Sequence, residues 1–271
     1  MIEVRLTKPG LFITGTDTEV GKTVVTCAIA WQLRTKQGRD HQQGQVHVGV
    51  SKPISSGCRI DREGLVNEDA EALAHFADCR LPLNVINPIR YRAPVAPAVA
   101  ADQTSRPIDA DAIVQNLQEL DAACDMLLIE GVGGLLVPLD ADDPQCTVLD
   151  LIRDVGYPVL VVTRAGLGTL NHTALTVRTL RDAGCRVAGL VINGFVTDSS
   201  GQSDVRPDVS MSTNRQWLPK INRTPLLATV PRCDPGQVMP HRGQLPPAVL
   251  DAVGMTFWPD VLGPARACTS R

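Results

Sequence analysis

The stretch Leu11–Thr23 constrains the fold of this chain more than any other part of the sequence. It runs from an apolar segment through a polar loop into Gly21-Lys22-Thr23, and a helix-like pattern follows. An apolar strand, a glycine-containing loop and a helix in this order are typical of a phosphate-binding loop, in which backbone N–H groups surround a polyphosphate. In such a loop Lys22 reaches the outer phosphates and the Thr23 hydroxyl ligates Mg²⁺.

The loop departs from the usual pattern in two respects. Thr16 occupies the position where the pattern has a glycine, and the nearest glycine is one residue earlier, at Gly15. Asp17 and Glu19 place two acids beside the expected phosphate site, where they would repel phosphate. Such acids favour a site that also receives a cation, for example a cationic substrate.

Composition limits the class of protein. With 271 residues, of which 44% are apolar, the chain is long enough to bury a full core, and we expect one domain over residues 1–271. A net charge of −3 argues against a nucleic-acid partner, and no apolar run reaches the roughly 18 residues that span a bilayer, which argues against a membrane partner. Eight scattered cysteines without a secretion-like start predict reduced thiols and a cytoplasmic location.

Strand-like and helix-like segments alternate along the chain. The predicted strands are 11–14, 46–50, 126–129, 158–162, 187–192 and 226–230. The predicted helices are 22–33, 68–76, 107–120, 148–154 and 170–182. Continuously apolar strands separated by helices predict an α/β fold, with a parallel sheet that is covered by helices on both faces.

Three segments are predicted to lie outside this framework. Residues 36–45 are polar, and residues 198–212 are rich in Ser, Asp and Gly and are expected to form a flexible loop. The stretch from about residue 245 to the end is rich in Pro and Gly, and we expect a peripheral tail with one short helical window near 248–253.

The residues that follow the predicted strands are the candidates for chemistry, because ligands bind beyond the carboxyl ends of parallel strands. Lys52 follows the second strand, where a second cation would stabilise a transferring phosphoryl group; a solvated surface lysine is the alternative. Glu130 follows residues 126–129, at the position of an acid that ligates Mg²⁺ directly or through water.

Further candidates are less specific. Asp69 is either a third oxygen ligand or an acid that interacts with a helix N-terminus. Asn193 either hydrogen-bonds a purine edge or forms a turn. His172 is expected to be structural rather than catalytic.

Six segments taken together resemble the dethiobiotin synthetase family. They are Gly-Thr-Asp-Thr-Glu-Val-Gly-Lys-Thr at 15–23, Lys-Pro-Ile-Ser-Ser-Gly at 52–57, Glu-Asp-Ala at 68–70, Ala-Pro-Val-Ala-Pro at 93–97, Glu-Gly-Val-Gly-Gly at 130–134 and Gly-Leu-Gly-Thr-Leu-Asn-His at 166–172. They occur in the family's order and cover the chain from about Leu11 to Val230.

This resemblance implies a three-layer α/β/α domain of the P-loop NTPase kind, a homodimer and an ATP-dependent cyclo-ligase. The expected reaction joins CO₂ or bicarbonate to 7,8-diaminononanoate and gives dethiobiotin, ADP and phosphate. It passes through a carbamate and a carbamic–phosphoric anhydride. The diamine is a cation until it loses its protons, which gives the acids of the loop a role.

The resemblance also implies roles for individual residues. Lys52 and Lys22 would be catalytic, and Thr23, Asp69 and Glu130 would hold Mg²⁺. The expected ATP contacts are Glu19, Val20, Gly21, Lys22, Thr23, Val24, Asp69, Glu130, Gly131, Val132, Gly133, Asn193, Gly194, Val230, Pro231 and Arg232. The expected substrate contacts are Thr18, Glu19, Ser56, Leu170 and Asn171.

Two other families share a similar loop. Partitioning-type ATPases act as nucleotide switches by dimerising and binding partners, but their loop carries a lysine where this chain has Thr16. Cobyrinate synthases carry a second, glutaminase domain, for which this chain has no room. The partitioning-type switch is therefore the principal alternative.

Overall fold

The structure is a computed structural model that describes residues 4–37, 46–62, 64–196 and 208–266. The strands are β1 Gly10–Gly15, β2 Val48–Ser51, β3 Ile54–Ser55, β4 Arg59–Asp61, β5 Gly64–Val66, β6 Ile89–Arg90, β7 Met126–Glu130, β8 Val159–Arg164, β9 Val187–Phe195 and β10 Leu226–Pro231. The helices are α1 Lys22–Gln32, α2 Glu68–Ala77, α3 Leu83–Ile86, α4 Pro97–Thr104, α5 Ala110–Ala123, α6 Val148–Val155, α7 Thr169–Asp182, α8 Ser210–Asn222 and α9 Pro247–Gly254.

A six-stranded sheet in the order β10-β9-β8-β1-β7-β2 forms the centre of the fold. Every neighbouring pair in this sheet is parallel, so the carboxyl ends of all six strands meet at one edge. This arrangement confirms the predicted parallel sheet, and it brings the loop after β1 close to the loops after β2 and β7.

Hydrophobic cores cover both faces of the sheet. Phe12 of β1 lies in one core, together with Leu117 of α5 and Val177 of α7. Its neighbour Ile13 lies in the other core, with Ile29 of α1. Successive residues of a strand point to opposite faces, and this alternation produces the predicted α/β/α layers.

Two small sheets were not predicted from the sequence. β3 pairs with β6 in parallel, and β4 pairs with β5 in an antiparallel hairpin. Each of these strands is two or three residues long, which is too short for a hydrophobic period to be read from the sequence.

The predicted start of the helix at 107–120 is wrong. A proline suits the first turn of a helix, and Pro107 is the reason for that predicted start, but α5 begins at Ala110. The Asp109 side chain accepts a hydrogen bond of 2.9 Å from the Ala112 N–H, and this N-cap determines the start. The N-cap at Asp109, and not the proline at position 107, therefore determines where α5 begins.

The predicted loop at 198–212 is wrong at its C-terminal end, because α8 begins at Ser210 and continues to Asn222. Residues 197–207 lie outside the described residues, as do residues 38–45 of the polar stretch. The first two residues of that stretch, 36 and 37, belong to a π-helical turn, Leu33–Gln37, that continues α1.

The prediction of a peripheral C-terminal tail is also wrong. Helix α9 packs against α1 and β10, and Val253 and Trp258 are fully buried in the core beside α1. Gly263 then pairs with Gly10, with two backbone hydrogen bonds of 2.9 and 3.0 Å. The apolar residues of the tail are spaced widely among Pro and Gly, so the sequence does not reveal their burial.

Among the helices of the described residues, none combines the length and the apolar character needed to cross a bilayer.

Candidate active site

The loops after β1, β2 and β7 and the N-terminus of α2 surround a cavity of about 370 Å³ at the carboxyl edge of the sheet. The residues that line it are Thr18, Glu19, Gly21, Lys22, Thr23, Val24, Lys52, Ser55, Ser56, Asn67, Glu68, Asp69, Ala72, Glu130, Val132, Gly133, Pro240 and His241. Three segments predicted to carry chemistry, far apart in sequence, therefore share one cavity.

Residues 15–23, called the phosphate loop below, turn sharply into α1. Gly21 has a φ of 94°, a left-handed conformation that favours glycine. A Cβ atom on Gly21 would also collide with the Asn193 amide, which donates a 3.0 Å hydrogen bond to the Val20 carbonyl. Gly21 therefore permits both the turn and the close approach of β9.

Lys22 is buried beneath this loop. Lys22 is 7% exposed, and its Nζ donates a 2.9 Å hydrogen bond to the Asp17 backbone carbonyl. Burial lowers the pKa of Lys22 to about 8, and the nearby Lys52 ammonium contributes to the fall. In the described residues the Lys22 ammonium makes no direct ion pair.

Lys52 lies in a different setting, which we call the carboxylate cluster: Lys52, Asp69 and Glu130. The Lys52 Nζ donates hydrogen bonds of 2.6 Å to Glu130 Oε1 and 2.9 Å to Asp69 Oδ2. The lysine side chain is 5% exposed, so the solvated-lysine alternative is wrong. Asp69 is both a residue of the first turn of α2 and a partner of Lys52.

The carboxylate cluster keeps its lysine charged. Burial by itself would lower the pKa of Lys52, but the carboxylates of Glu130 and Asp69 outweigh it and hold the pKa above its ordinary value. Burial would likewise raise the pKa of Asp69, and Lys52 more than offsets this and holds the pKa below its usual range. The shifted pKa values of Lys52 and Asp69 therefore both favour the charged forms of this ion pair.

The predicted metal ligands Thr23, Asp69 and Glu130 come together, and their donor atoms suit Mg²⁺. Thr23 Oγ1 donates a 2.9 Å hydrogen bond to Glu130 Oε1. Glu130 Oε2 is buried and has no hydrogen-bond partner in the described part of the chain. Carboxylate and hydroxyl oxygens are ligands that Mg²⁺ accepts, and an open buried carboxylate oxygen fits a cation.

The predicted substrate contacts fall into two groups. Thr18, Glu19 and Ser56 line the cavity, with Lys22 and Lys52. Leu170 and Asn171 do not line it: they are the second and third residues of α7, where N–H groups have no partner inside a helix. Asp17 does not line the cavity either, and its carboxylate accepts the Thr18 N–H at 2.8 Å.

Another group of predicted ATP contacts lies on or directly after the neighbouring strands β9 and β10. Asn193 and Gly194 precede Phe195, the last residue of β9, and Pro231, the last residue of β10, is paired with Phe195. The Val230 side chain is fully buried, so this residue has only its backbone to offer a ligand. The Arg232 N–H bonds the Phe195 carbonyl at 2.8 Å.

Sequence reasoning did not find part of the cavity wall. Pro240 and His241 belong to a short 3₁₀ turn, Pro240–Arg242, that packs on α2, and His241 Nδ1 lies 3.8 Å from Glu68 Oε2. No local pattern points to this turn. The sequence could have indicated Asn67, because asparagine is a preferred N-cap residue and here its side chain accepts a 3.2 Å hydrogen bond from the Ala70 N–H at the start of α2.

Comparisons with known proteins find one family model and several similar relatives that match most of the chain. A family model described as an AAA domain matches residues 9–237. An ATP-dependent dethiobiotin synthetase BioD of Anaeromyxobacter sp. (strain Fw109-5) is 45% identical, over 78% of this chain and 89% of the relative. The protein of the same name from Thermodesulfovibrio yellowstonii is 38% identical, over 83% and 89%. That of Yersinia pestis bv. Antiqua is 34% identical, over 81% and 83%.

Similar solved structures share the architecture only. The MinC:MinD cell division complex of Aquifex aeolicus matches with a TM-score of 0.53 and 14% identity, covering 94% of each chain. A ParA family ATPase from Chlorobium tepidum matches with a TM-score of 0.50 and 14% identity, covering 94% of this chain and 99% of the other. At this identity the likeness confirms the predicted fold and gives the partitioning-type alternative no support beyond it.

Proposed function

The chain belongs to the family of ATP-dependent dethiobiotin synthetases, and from this premise we propose that its cavity binds ATP, CO₂ and 7,8-diaminononanoate. It is an ATP-dependent cyclo-ligase whose product is dethiobiotin, with ADP and phosphate. The observation that carries the proposal is the pair of buried lysines, Lys22 and Lys52, which meet acidic and hydroxyl side chains in one cavity. A protein that only binds a nucleotide has no need of the second lysine.

The two ends of the diamine site have different chemistry. Thr18, Glu19 and Ser56 offer acceptors to the two amines, beside the phosphate loop. The distal carboxylate of the substrate would lie against the N–H groups of Leu170 and Asn171, which have no partner within their own helix, at the positive end of α7. Because these residues do not line the cavity, this part of the site forms with the substrate or with a second copy of the chain.

In the proposed reaction one amine adds to CO₂ and loses a proton, giving a carbamate. A carbamate oxygen attacks the γ-phosphorus, ADP leaves, and a carbamic–phosphoric anhydride forms. The second amine attacks the carbonyl carbon and expels phosphate, which closes the ureido ring. Lys22 and Lys52 stabilise the negative charge on the transferring phosphoryl group and act as catalytic residues.

Mg²⁺ is part of the proposal. Thr23, Asp69 and Glu130 would hold it, and the unpartnered Oε2 of Glu130 supports this assignment. When bound, the ion would neutralise charge on the phosphate oxygens. Asn193, Gly194 and the backbone of Val230–Arg232 would contact the adenine.

A homodimer is proposed as well. Three leucines near β7 and α7 are each more than half exposed: Leu136 follows β7, Leu167 precedes α7 and Leu175 lies on α7. Exposed large apolar residues favour an interface. A sedimentation measurement of the chain tests this part. The cytoplasmic location expected from the cysteines stays a prediction.

The decisive experiment measures phosphate and dethiobiotin in parallel, with ATP, CTP and GTP as separate nucleotides. We expect little phosphate release from ATP alone, and stoichiometric phosphate and dethiobiotin once bicarbonate and 7,8-diaminononanoate are added. Rapid ATP hydrolysis that ignores the diamine, with no product detectable by mass spectrometry, would refute the proposal. Omission of bicarbonate is the control for carbamate formation.

A further inference from the structure

A group of threonine hydroxyls, three of them buried and that of Thr16 partly exposed, connects the phosphate loop to the first turn of α7. Thr163 of β8 is fully buried, and its Oγ1 lies 2.6 Å from Thr169 Oγ1 and 2.9 Å from Thr173 Oγ1. Thr16 of the phosphate loop donates to the same oxygen at 3.4 Å. We call these four residues, Thr16, Thr163, Thr169 and Thr173, the hydroxyl cluster.

Thr163 is the centre of the hydroxyl cluster. A hydroxyl has one proton to donate and two lone pairs to accept, and Thr163 faces three hydroxyl neighbours. Its hydrogen-bonding capacity is therefore used completely, inside a protein interior where each unmade bond is costly. Thr169 and Thr173, the two nearest neighbours, are also fully buried.

The position of the hydroxyl cluster connects the two ends of the proposed diamine site. The Thr16 N–H bonds the Val162 carbonyl at 3.0 Å, so the phosphate loop leaves β1 alongside the end of β8. Thr169 is the first residue of α7, directly before Leu170 and Asn171. The cluster also explains why the loop has a threonine at position 16, where the usual pattern has a glycine.

We propose that Thr163 is a positioning residue, which fixes the N-terminus of α7 relative to the phosphate loop and thereby aligns the carboxylate-binding N–H groups with the amine-binding residues. The inference rests on the proposed function, since it concerns the two ends of the diamine. It holds whether α7 serves the site of its own chain or that of a second copy. Small displacements of a substrate-orienting group reduce rates strongly, so the hydroxyl contacts matter for turnover.

The test compares 7,8-diaminononanoate with its primary amide, which keeps both amines and removes the charge of the distal carboxylate. The measured quantity is the KM of the amide divided by the KM of the acid. In Thr163→Val, which keeps the shape and removes the hydroxyl, we expect this ratio to fall about tenfold towards one, while the KM for ATP changes less than about twofold. Thr163→Ser, which keeps the hydroxyl, should restore the ratio.

A matched control lies on the same helix. Thr176 is 8% exposed, and its hydroxyl donates a 2.8 Å hydrogen bond to the His172 carbonyl of its own helix, its single partner among the described residues. Thr176→Val should leave the KM ratio unchanged. If Thr163→Val does not fold, Thr173→Val removes one cluster hydroxyl and should lower the ratio in the same direction.

The outcomes separate this inference from the proposed function. The positioning role would be overturned if Thr163→Val and Thr173→Val both kept the KM ratio of the unmodified chain and only their melting temperatures fell. The ligase assignment would not be affected by that result. An unmodified chain that makes no dethiobiotin from the acid would instead refute the proposed function itself.

Discussion

The phosphate loop and the carboxylate cluster each supply one buried lysine to the same cavity, and their surroundings shift the pKa values of the two lysines in opposite directions. Lys22 bonds a backbone carbonyl, and burial lowers its pKa to about 8. Lys52 bonds two carboxylates, which raise its pKa despite burial. Lys22 can therefore change its charge when a phosphate arrives, whereas Lys52 carries a permanent charge that the fold itself requires.

The largest difference is expected when each lysine is replaced by methionine, which has a similar length and no charge. Lys52→Met leaves Glu130 buried without its cation, and breaking a buried pair in this way costs about 3–5 kcal/mol. We also expect dethiobiotin formation to fall by about 100-fold or more, since a group that stabilises the transition state is lost. Urea unfolding and turnover measure the two effects.

Lys22→Met is the comparison. It removes a buried charge that makes no direct ion pair with a carboxylate in the described part of the chain, so the free energy of unfolding should fall by less than about 1 kcal/mol, or rise. The double variant Lys52→Met with Glu130→Gln removes both charges and should recover most of the stability lost in Lys52→Met. Equal losses in the two single variants would mean that the lysines do not differ as their contacts indicate.

Gly21→Ala should damage the phosphate loop and spare the carboxylate cluster. The backbone strain at a positive φ costs about 1–3 kcal/mol, and the added methyl group displaces the Asn193 amide. We expect ATP affinity, measured by calorimetry, to fall about tenfold or more, because the loop N–H groups move.

Gly64→Ala is the matched control for Gly21→Ala. Gly64 lies in the β4–β5 hairpin and does not line the cavity. It also has a positive φ, of 113°, but an added Cβ would meet nothing within 4 Å in the described residues. Its effect should be limited to local backbone strain, with ATP affinity changed less than about threefold. A similar loss of ATP affinity in both variants would show that the phosphate loop and its contact with Asn193 do not account for the loss at Gly21.

The last difference between the two lysines concerns pH. Because folding lowers the pKa of Lys22 from 10.5 to about 8, the unfolded chain binds more protons between these two values. The contribution of Lys22 to the free energy of unfolding therefore rises as the pH increases across that window. Lys52, with its raised pKa, contributes stability below 10.5 that is lost only as the pH rises further, through its folded-state value.

Proton uptake on nucleotide binding should reveal the lowered pKa of Lys22. At pH 9.5, where Lys22 of the free protein is mostly neutral, ATP binding should take up about one proton, and at pH 7 it should take up almost none. Calorimetry in two buffers of different ionisation enthalpy measures this uptake. Lys22→Met should abolish the uptake; persistence of the uptake in that variant would assign it to another group.

Short-range patterns predicted the centre of the molecule. Glu130 and Lys52 come at or just after the ends of apolar segments, and Lys22 ends the loop that follows the first one. The rule that parallel strands share one carboxyl edge was sufficient to place the three residues together. Asp69 was left open by the sequence, because an acid in the first turn of a helix is common whether or not it faces a lysine.

The rest of the site depends on packing that the sequence does not display locally. His241 reaches the cavity because its turn packs on α2, and Gly243 next to it lies so close to His75 that a side chain would collide there. The hydroxyl cluster joins residues about 150 positions apart, Thr16 and Thr163, through side chains that have no hydrophobic period. Contacts of this kind are visible only in three dimensions.

The burial of Trp258 gives the C-terminal segment an optical signal of its own. The chain has three tryptophans: Trp258 is fully buried, Trp217 on α8 is 52% exposed, and Trp31 lies on α1. A buried indole fluoresces at shorter wavelength than a hydrated one, so detachment of the segment should shift the emission to the red. In a chain with Trp31→Phe and Trp217→Phe, that shift would reveal whether the segment leaves the core before the sheet unfolds or together with it.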